Sequence, residues 1–287
     1  MNTTYTTLMS VAELAASLAS STPAVLLDCS FDLGQVEAGR QQFLAGHLPG
    51  ARYVHLDEAL SSAKTGRNGR HPLPSREQFV QTMATLGVND TDQVVVYDNS
   101  GGMYAARLWW MLRWVGHGAV ALLDGGPAAW QQAGGSMAQG LAAAHSAGQF
   151  SLRQSLVGTV DYATVLANLN HGQRLVIDAR APDRFRGENE TLDPIGGHIP
   201  GARNRLFRDN LGADGRFKPA AQLRAEFDAI SGGLPGSDLI AQCGSGVTAC
   251  HNMLALEIAG LSGACLYPGS WSEWCTQDGA PIATGAQ

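Results

Sequence analysis

Gly46-His47-Leu48-Pro49-Gly50-Ala51-Arg52 returns, with one conservative change, as Gly197-His198-Ile199-Pro200-Gly201-Ala202-Arg203. The recurrence decides the fold because three further blocks repeat around it in the same order. Upstream of each copy an apolar run ends in aspartate, Val25-Leu26-Leu27-Asp28 and Leu175-Val176-Ile177-Asp178. Downstream, Val94-Val95-Val96-Tyr97 matches Asp238-Leu239-Ile240-Ala241, each followed by a Gly/Ser loop and a helical pattern. The copies close on Asp124-Gly125-Gly126-Pro127-Ala128-Ala129-Trp130 and Pro268-Gly269-Ser270-Trp271-Ser272-Glu273-Trp274. The chain therefore reads as a tandem duplication, residues 1–140 and 156–287. Between them, 141–155 is a linker, the last part of a stretch from Gln131 to Ser155 that is rich in Ala, Gly, Ser and Gln. Each copy alternates short β-branched runs with helical segments. That pattern is α/β: a parallel sheet flanked by helices, with loops at the carboxyl ends of its strands forming the site.

The 287 residues suit two cores rather than one. A net charge of −6 argues against a sequence-independent grip on nucleic acid or on an anionic membrane surface. No apolar stretch reaches the length of a bilayer helix, and the first ten residues lack the basic-then-apolar layout of a signal peptide. Five cysteines, at 29, 243, 250, 265 and 275, form no Cys-x-x-Cys pair and make an odd count. That usage points to a reducing cytoplasm. Trp109, Trp110 and Trp114, at helical spacing, read as core and interdomain packing.

The stretch Leu239-Ile240-Ala241-Gln242-Cys243-Gly244-Ser245-Gly246-Val247-Thr248 runs from an apolar strand into a loop before a helical segment. Its one strong nucleophile is the Cys243 thiol. Gly244 and Gly246 allow backbone conformations that a β-carbon forbids, so the loop amides can curl around one atom. The following helix adds its positive end. A sulfur at that focus is held as thiolate, the reactive form. This reading requires a sulfur that solvent can reach. Applying one fixed spacing between the repeats sets Asn99 opposite Cys243, which marks the first repeat as the non-catalytic half. His47 and His198 recur in both repeats and read as structural. The other histidines show no clustering with cysteine or carboxylate, so neither a metal nor another cofactor is implied. Cys250, seven residues after Cys243, reads as a core position with a resolving thiol as the alternative; Cys29, Cys265 and Cys275 read as packing residues.

These features resemble the two-domain rhodanese-type sulfurtransferases. The likeness rests on the tandem Gly-His-(Leu/Ile)-Pro-Gly-Ala segments, the cysteine loop in the second repeat alone, and the closing Gly-Ser-Trp-x-Glu-Trp. The loop Cys243-Gly244-Ser245-Gly246-Val247-Thr248 is similar to that of the members acting on 3-mercaptopyruvate. Thiosulfate-preferring members carry two basic residues where this chain has Gly244 and Ser245. The resemblance implies a ping-pong transfer: Cys243 takes sulfur from 3-mercaptopyruvate, releases pyruvate, and passes the sulfur to thioredoxin, glutathione, another thiol or cyanide. It gives the amides of Gly244, Gly246, Val247 and Thr248 the task of cradling the charged sulfur. It makes Ser245, His71 and Asp57 a hydroxyl–imidazole–carboxylate set. It also makes Arg186, the second arginine of Arg184-Phe185-Arg186-Gly187, the residue that binds the donor carboxylate. The family's further arginine is missing here, since residues 188–196 are acidic and contain no Arg or Lys.

Three other readings bear on the same loop. A cysteine phosphatase needs an arginine six residues after its nucleophile, where this chain has Ala249. A thiosulfate sulfurtransferase gains support from the missing arginine and loses it from the neutral loop. A relay module receiving persulfide from a partner would use the same cradle.

Overall fold

The apolar runs of each repeat become strands, and every pair of neighbouring strands is parallel. The computed structural model describes residues 3–286; Met1 and Asn2, which begin the stretch read for a leader, lie outside them. The described chain divides into two compact units. One holds the chain up to Ser61, with Pro74–Leu156 and Ala213–Phe217. The other holds Ser62–Leu73, Val157–Gly212 and the chain from Lys218. Each unit thus keeps its own repeat but for a short segment that belongs to the other. Among the described residues no helix is long and apolar enough to cross a membrane.

In the first unit the strands β1 Leu8–Met9, β2 Val25–Asp28, β3 Arg52–Tyr53, β4 Val94–Tyr97 and β5 Val120–Leu123 lie in the order β1-β5-β4-β2-β3. The second repeats this with β6 Gly158–Thr159, β7 Leu175–Asp178, β8 Arg203–Asn204, β9 Leu239–Gln242 and β10 Cys265–Leu266, in the order β6-β10-β9-β7-β8. The central strands β4 and β9 are buried along their whole length, as a parallel sheet covered on both faces requires.

Helices α1 Val11–Leu18, α2 Ala38–Ala45, α3 Leu56–Ala59, α4 Arg76–Thr85, α5 Ala105–Trp114 and α6 Gly126–Gln132 belong to the first unit. Helices α7 Tyr162–His171, α8 Pro182–Arg186, α9 Ala220–Ser231, α10 Ala249–Ile258 and α11 Ser270–Trp274 belong to the second. Helices α5 and α10, which follow the central strands, are buried almost all round. Trp109 and Trp110 are fully enclosed on α5, in the packing role read from their spacing.

The repeated histidines do one structural job twice. His47 stacks on Phe43 at 3.9 Å and its Nδ1 meets the Phe43 carbonyl at 2.8 Å; His198 stacks on Phe185 at 3.8 Å and meets its carbonyl at 2.8 Å. A carbonyl only accepts, so both rings carry their proton on Nδ1. Their backbones form matching antiparallel bridges, to Ala138 and to Ala283.

Candidate active site

Cys243 is the first residue beyond β9, at the carboxyl end of the sheet where α/β proteins place their chemistry. Its amide donates to Ser270 Oγ at 3.1 Å, and its carbonyl accepts from Trp271 N at 3.0 Å. The Gly244 carbonyl accepts from Ser272 N at 2.9 Å. The start of α11 thereby clamps the two peptides that set the direction of the thiol. Ser270 carries strain to do so. With φ at 54° it is the one non-glycine with positive φ among the described residues, and its hydroxyl is held by the Tyr267 carbonyl at 2.9 Å. The corresponding residue of the first unit is Gly126, at φ 58°. A serine replaces the glycine only in the unit that bears the cysteine.

The two loop glycines are required for different reasons. Gly246 has φ of 76°, and a β-carbon there would meet the Pro268 carbonyl oxygen at 2.4 Å. Gly244 has no such conformation. A β-carbon there would instead meet Arg70 Nη2 at 2.7 Å, with the Arg184 guanidinium nitrogens at 3.6 and 3.7 Å. Ser245, Gly244 and Val247 are buried, and Thr248 caps α10 half-buried.

Strand registers correct the pairing of the repeats. Asp28 pairs with Tyr97, and Asp178 pairs with Gln242. The residues that follow, Asp98 and Cys243, are therefore equivalent, and the first unit's loop is one residue longer; Asn99 is not the counterpart. Asp98 shows what this position holds when it is not sulfur. Its Oδ1 accepts from the amides of Ser100 and Gly102 at 2.7 and 2.9 Å, and its Oδ2 from those of Tyr104 and Ala105, both at 2.8 Å. Burial pushes this carboxyl above its ordinary pKa, and the four amides draw it back. In the first unit this strand–loop–helix turn cradles a carboxylate.

Segment 62–73 supplies the remaining groups of the second unit. Its neck is closed by the Ser62 amide on the Pro72 carbonyl, 2.8 Å. His71 is buried, with Nδ1 2.8 Å from Ser245 Oγ. The Arg70 amide donates to Ser272 Oγ at 3.0 Å, and its guanidinium pairs with one Asp193 oxygen. The other Asp193 oxygen lies 3.3 Å from Arg184 Nη2. Arg184 is also gripped by Glu190, at 2.8 to 3.2 Å. Glu190 stands 3.5 Å from Arg180, which is fully buried against Asp178. The acidic stretch 188–196 is thus spent on arginines, and Arg70 supplies in space the cation that stretch lacks.

The structure does not bring Arg186 into this group. Its guanidinium pairs with the exposed Glu188 at 2.6 and 2.8 Å, and it lines a separate cavity of about 360 Å³ with Phe185, Arg203 and Ile230. Arg184 takes the place beside Gly244. Asp57 belongs to the first unit, half-buried in the first turn of α3.

The cysteine is 1% exposed, so the open access the sequence reading requires is absent from this arrangement. Segment 62–73 meets the loop at the two residues after the cysteine, with Arg70 beside Gly244 and His71 on Ser245. Burial raises the Cys29 thiol far above its ordinary pKa and that of Cys275 to about 11, in keeping with inert packing. Cys250 is fully enclosed, its thiol donating to the Gly246 carbonyl at 3.3 Å. Among the described residues one trio, Glu37, His55 and Glu58, is compact enough to hold a metal ion. Arg40 already bridges both of its carboxylates, and His55 Nδ1 accepts from the amides at the start of α3.

A family model described as "Rhodanese-like domain" matches residues 10–133 and again 161–277. A probable 3-mercaptopyruvate sulfurtransferase of Pseudomonas aeruginosa is 44% identical over 97% of this chain and 98% of its own length. A thiosulfate sulfurtransferase of Bos taurus is 35% identical over 87% of this chain and 84% of its own. The crystal structure of SseA from Escherichia coli, titled as a study of 3-mercaptopyruvate sulfotransferases, superposes with a TM-score of 0.81. It is 31% identical and covers 93% of this chain and 99% of that one.

Proposed function

This chain belongs to the rhodanese-like domain family and is a sulfurtransferase, and we propose that 3-mercaptopyruvate is its donor and a Cys243 persulfide its intermediate. One observation carries the reading. Cys243 stands where the first unit holds a carboxylate bonded by four loop amides. A thiolate or persulfide placed there is stabilised by fixed backbone dipoles and needs no metal.

The thiolate attacks the donor sulfur, and the C–S bond breaks with its electron pair passing to carbon. The resulting enolate takes a proton and leaves as pyruvate. The thiolate of an acceptor, thioredoxin or glutathione, or else cyanide, then attacks the outer sulfur and regenerates the Cys243 thiolate. Arg70 and Arg184, beside Gly244, bind the donor carboxylate. Ser245 and His71, 2.8 Å apart, serve the ketone and the proton that completes pyruvate. The family resemblance adds Asp57 as the carboxylate acting through His71. Reactive thiols and free cysteines fit a cytoplasmic setting.

A second reading, a thiosulfate donor, is favoured by the same two arginines: the loop sequence is neutral, but the space beside Gly244 is not. Comparing kcat/KM for the two donors decides between them. A ratio of at least about tenfold toward 3-mercaptopyruvate is expected, and a reversed ratio overturns the choice of donor. Negligible turnover of both, with a stable persulfide, would instead identify a relay module. His71→Ala is expected to lower kcat by about a hundredfold, the ordinary contribution of a positioned acid–base group. Asp57→Ala is measured beside it, and an unchanged rate in either removes that residue from the reaction.

A further inference from the structure

Among the described residues Asp193 is the one carboxylate that pairs with both arginines beside Gly244. Its side chain is 2% exposed, whereas Arg70 and Arg184 are 25% and 19% exposed. The carboxylate is therefore sealed behind two guanidiniums whose outer edges still meet solvent. We propose that Asp193 is a specificity-determining residue: its carboxylate is a resident stand-in for the donor's anionic group, and it holds Arg70, and with Arg70 the segment 62–73, closed over the cysteine until a donor anion displaces it.

The segment is also tied by the buried His71–Ser245 contact and by the Arg70 amide on Ser272, both uncharged, and by two ties at the surface. Arg67 meets Asp278 at 3.0 Å with both side chains largely exposed, and exposed pairs contribute little. Gln277 Nε2 donates to the Arg67 carbonyl at 3.0 Å at the surface. The pairing of Arg70 with the buried Asp193 is the charge-assisted tie an anion can compete for. Gly66 and Gly69, at φ 86° and 81°, give the segment two pivots that L side chains rarely permit. Cover and substrate grip thus share one side chain. Arg70 cannot pair fully with a donor carboxylate and keep Asp193, so an anionic donor favours the open state by its differential interaction with Arg70. A neutral reagent has no such lever and meets a closed loop.

The proposal rests on Cys243 as the reacting thiol. It is tested by the rate at which neutral iodoacetamide alkylates Cys243, followed by peptide mass spectrometry, and by the Kd of pyruvate from calorimetry. Asp193→Asn is expected to speed alkylation of Cys243 about tenfold and to tighten pyruvate binding about tenfold, with Cys250 still unreactive. Arg70→Gln is expected to speed alkylation equally but to weaken pyruvate binding. That opposite sign separates a competing carboxylate from a merely structural one. Unchanged alkylation in Asp193→Asn, or pyruvate binding that is unchanged or weaker there, overturns the proposal. Should the Asn variant expose Cys250, Asp193→Ser takes its place; exposure of Cys250 in both makes the carboxylate structural and also overturns it. Neither readout needs turnover. A wild-type protein that forms no persulfide fails the sulfurtransferase reading alone and leaves the Asp193 comparison readable.

Discussion

Cys243→Ser is expected to abolish pyruvate release, lowering kcat by at least about 10⁴-fold, because removing the nucleophile of a covalent mechanism leaves only binding and orientation. The substitution changes one buried atom, and the amide and carbonyl that position residue 243 are backbone groups held by Ser270 and Trp271. The fold is therefore retained, with an unfolding midpoint near that of the parent. A serine hydroxyl is not ionised at neutral pH and cannot form a persulfide. Two measurements check this: pyruvate release in a coupled assay, and the gain of one sulfur by mass spectrometry after donor alone. Normal turnover by the serine variant would remove the proposed mechanism whatever the family.

The second large effect is on stability. Arg180 is 3% exposed; it forks onto both Asp178 oxygens at 2.7 to 3.1 Å, donates to the Gly197 carbonyl at 2.7 Å and lies over the Trp271 ring at 4.7 Å. Arg180→Met leaves Asp178, fully buried at the end of β7, with no countercharge. Losing one partner of such a pair costs about 3–5 kcal/mol. Urea denaturation followed by fluorescence should register most of that loss. Arg180→Met with Asp178→Asn should recover part of it, since the stranded charge is then absent. A loss below about 0.5 kcal/mol in the single variant would show that the pair is not holding this end of the sheet.

The sequence made the two parallel sheets readable because four blocks recur in order and parallel strands covered on both faces are continuously apolar. It also located the cysteine, since a strand ending in a glycine loop before a helix leaves one place for it. The arginines were not readable. Arg184 and Arg186 lie two residues apart on α8, which turns about 100° per residue, so they face nearly opposite ways. Only the packing of α8 shows that Arg184 faces Gly244. Arg70 was hidden for another reason: it lies 123 positions before Asp193, on a segment of the first repeat that belongs to the second unit. One signal was present and passed over, the serine of Pro268-Gly269-Ser270 where the first repeat has a second glycine. The Asp98 equivalence was masked by one extra loop residue, which an ungapped alignment cannot absorb.

The carboxylate of Asp98 has a consequence for how the two halves age. Four amides converging on one point repel one another unless something negative sits among them. In the second half the equivalent position carries a soft, oxidisable sulfur, which peroxide or electrophiles attack once they reach it. In the first half it is oxygen, inert to both. Chemical damage to the protein should therefore silence one half while the other keeps its shape.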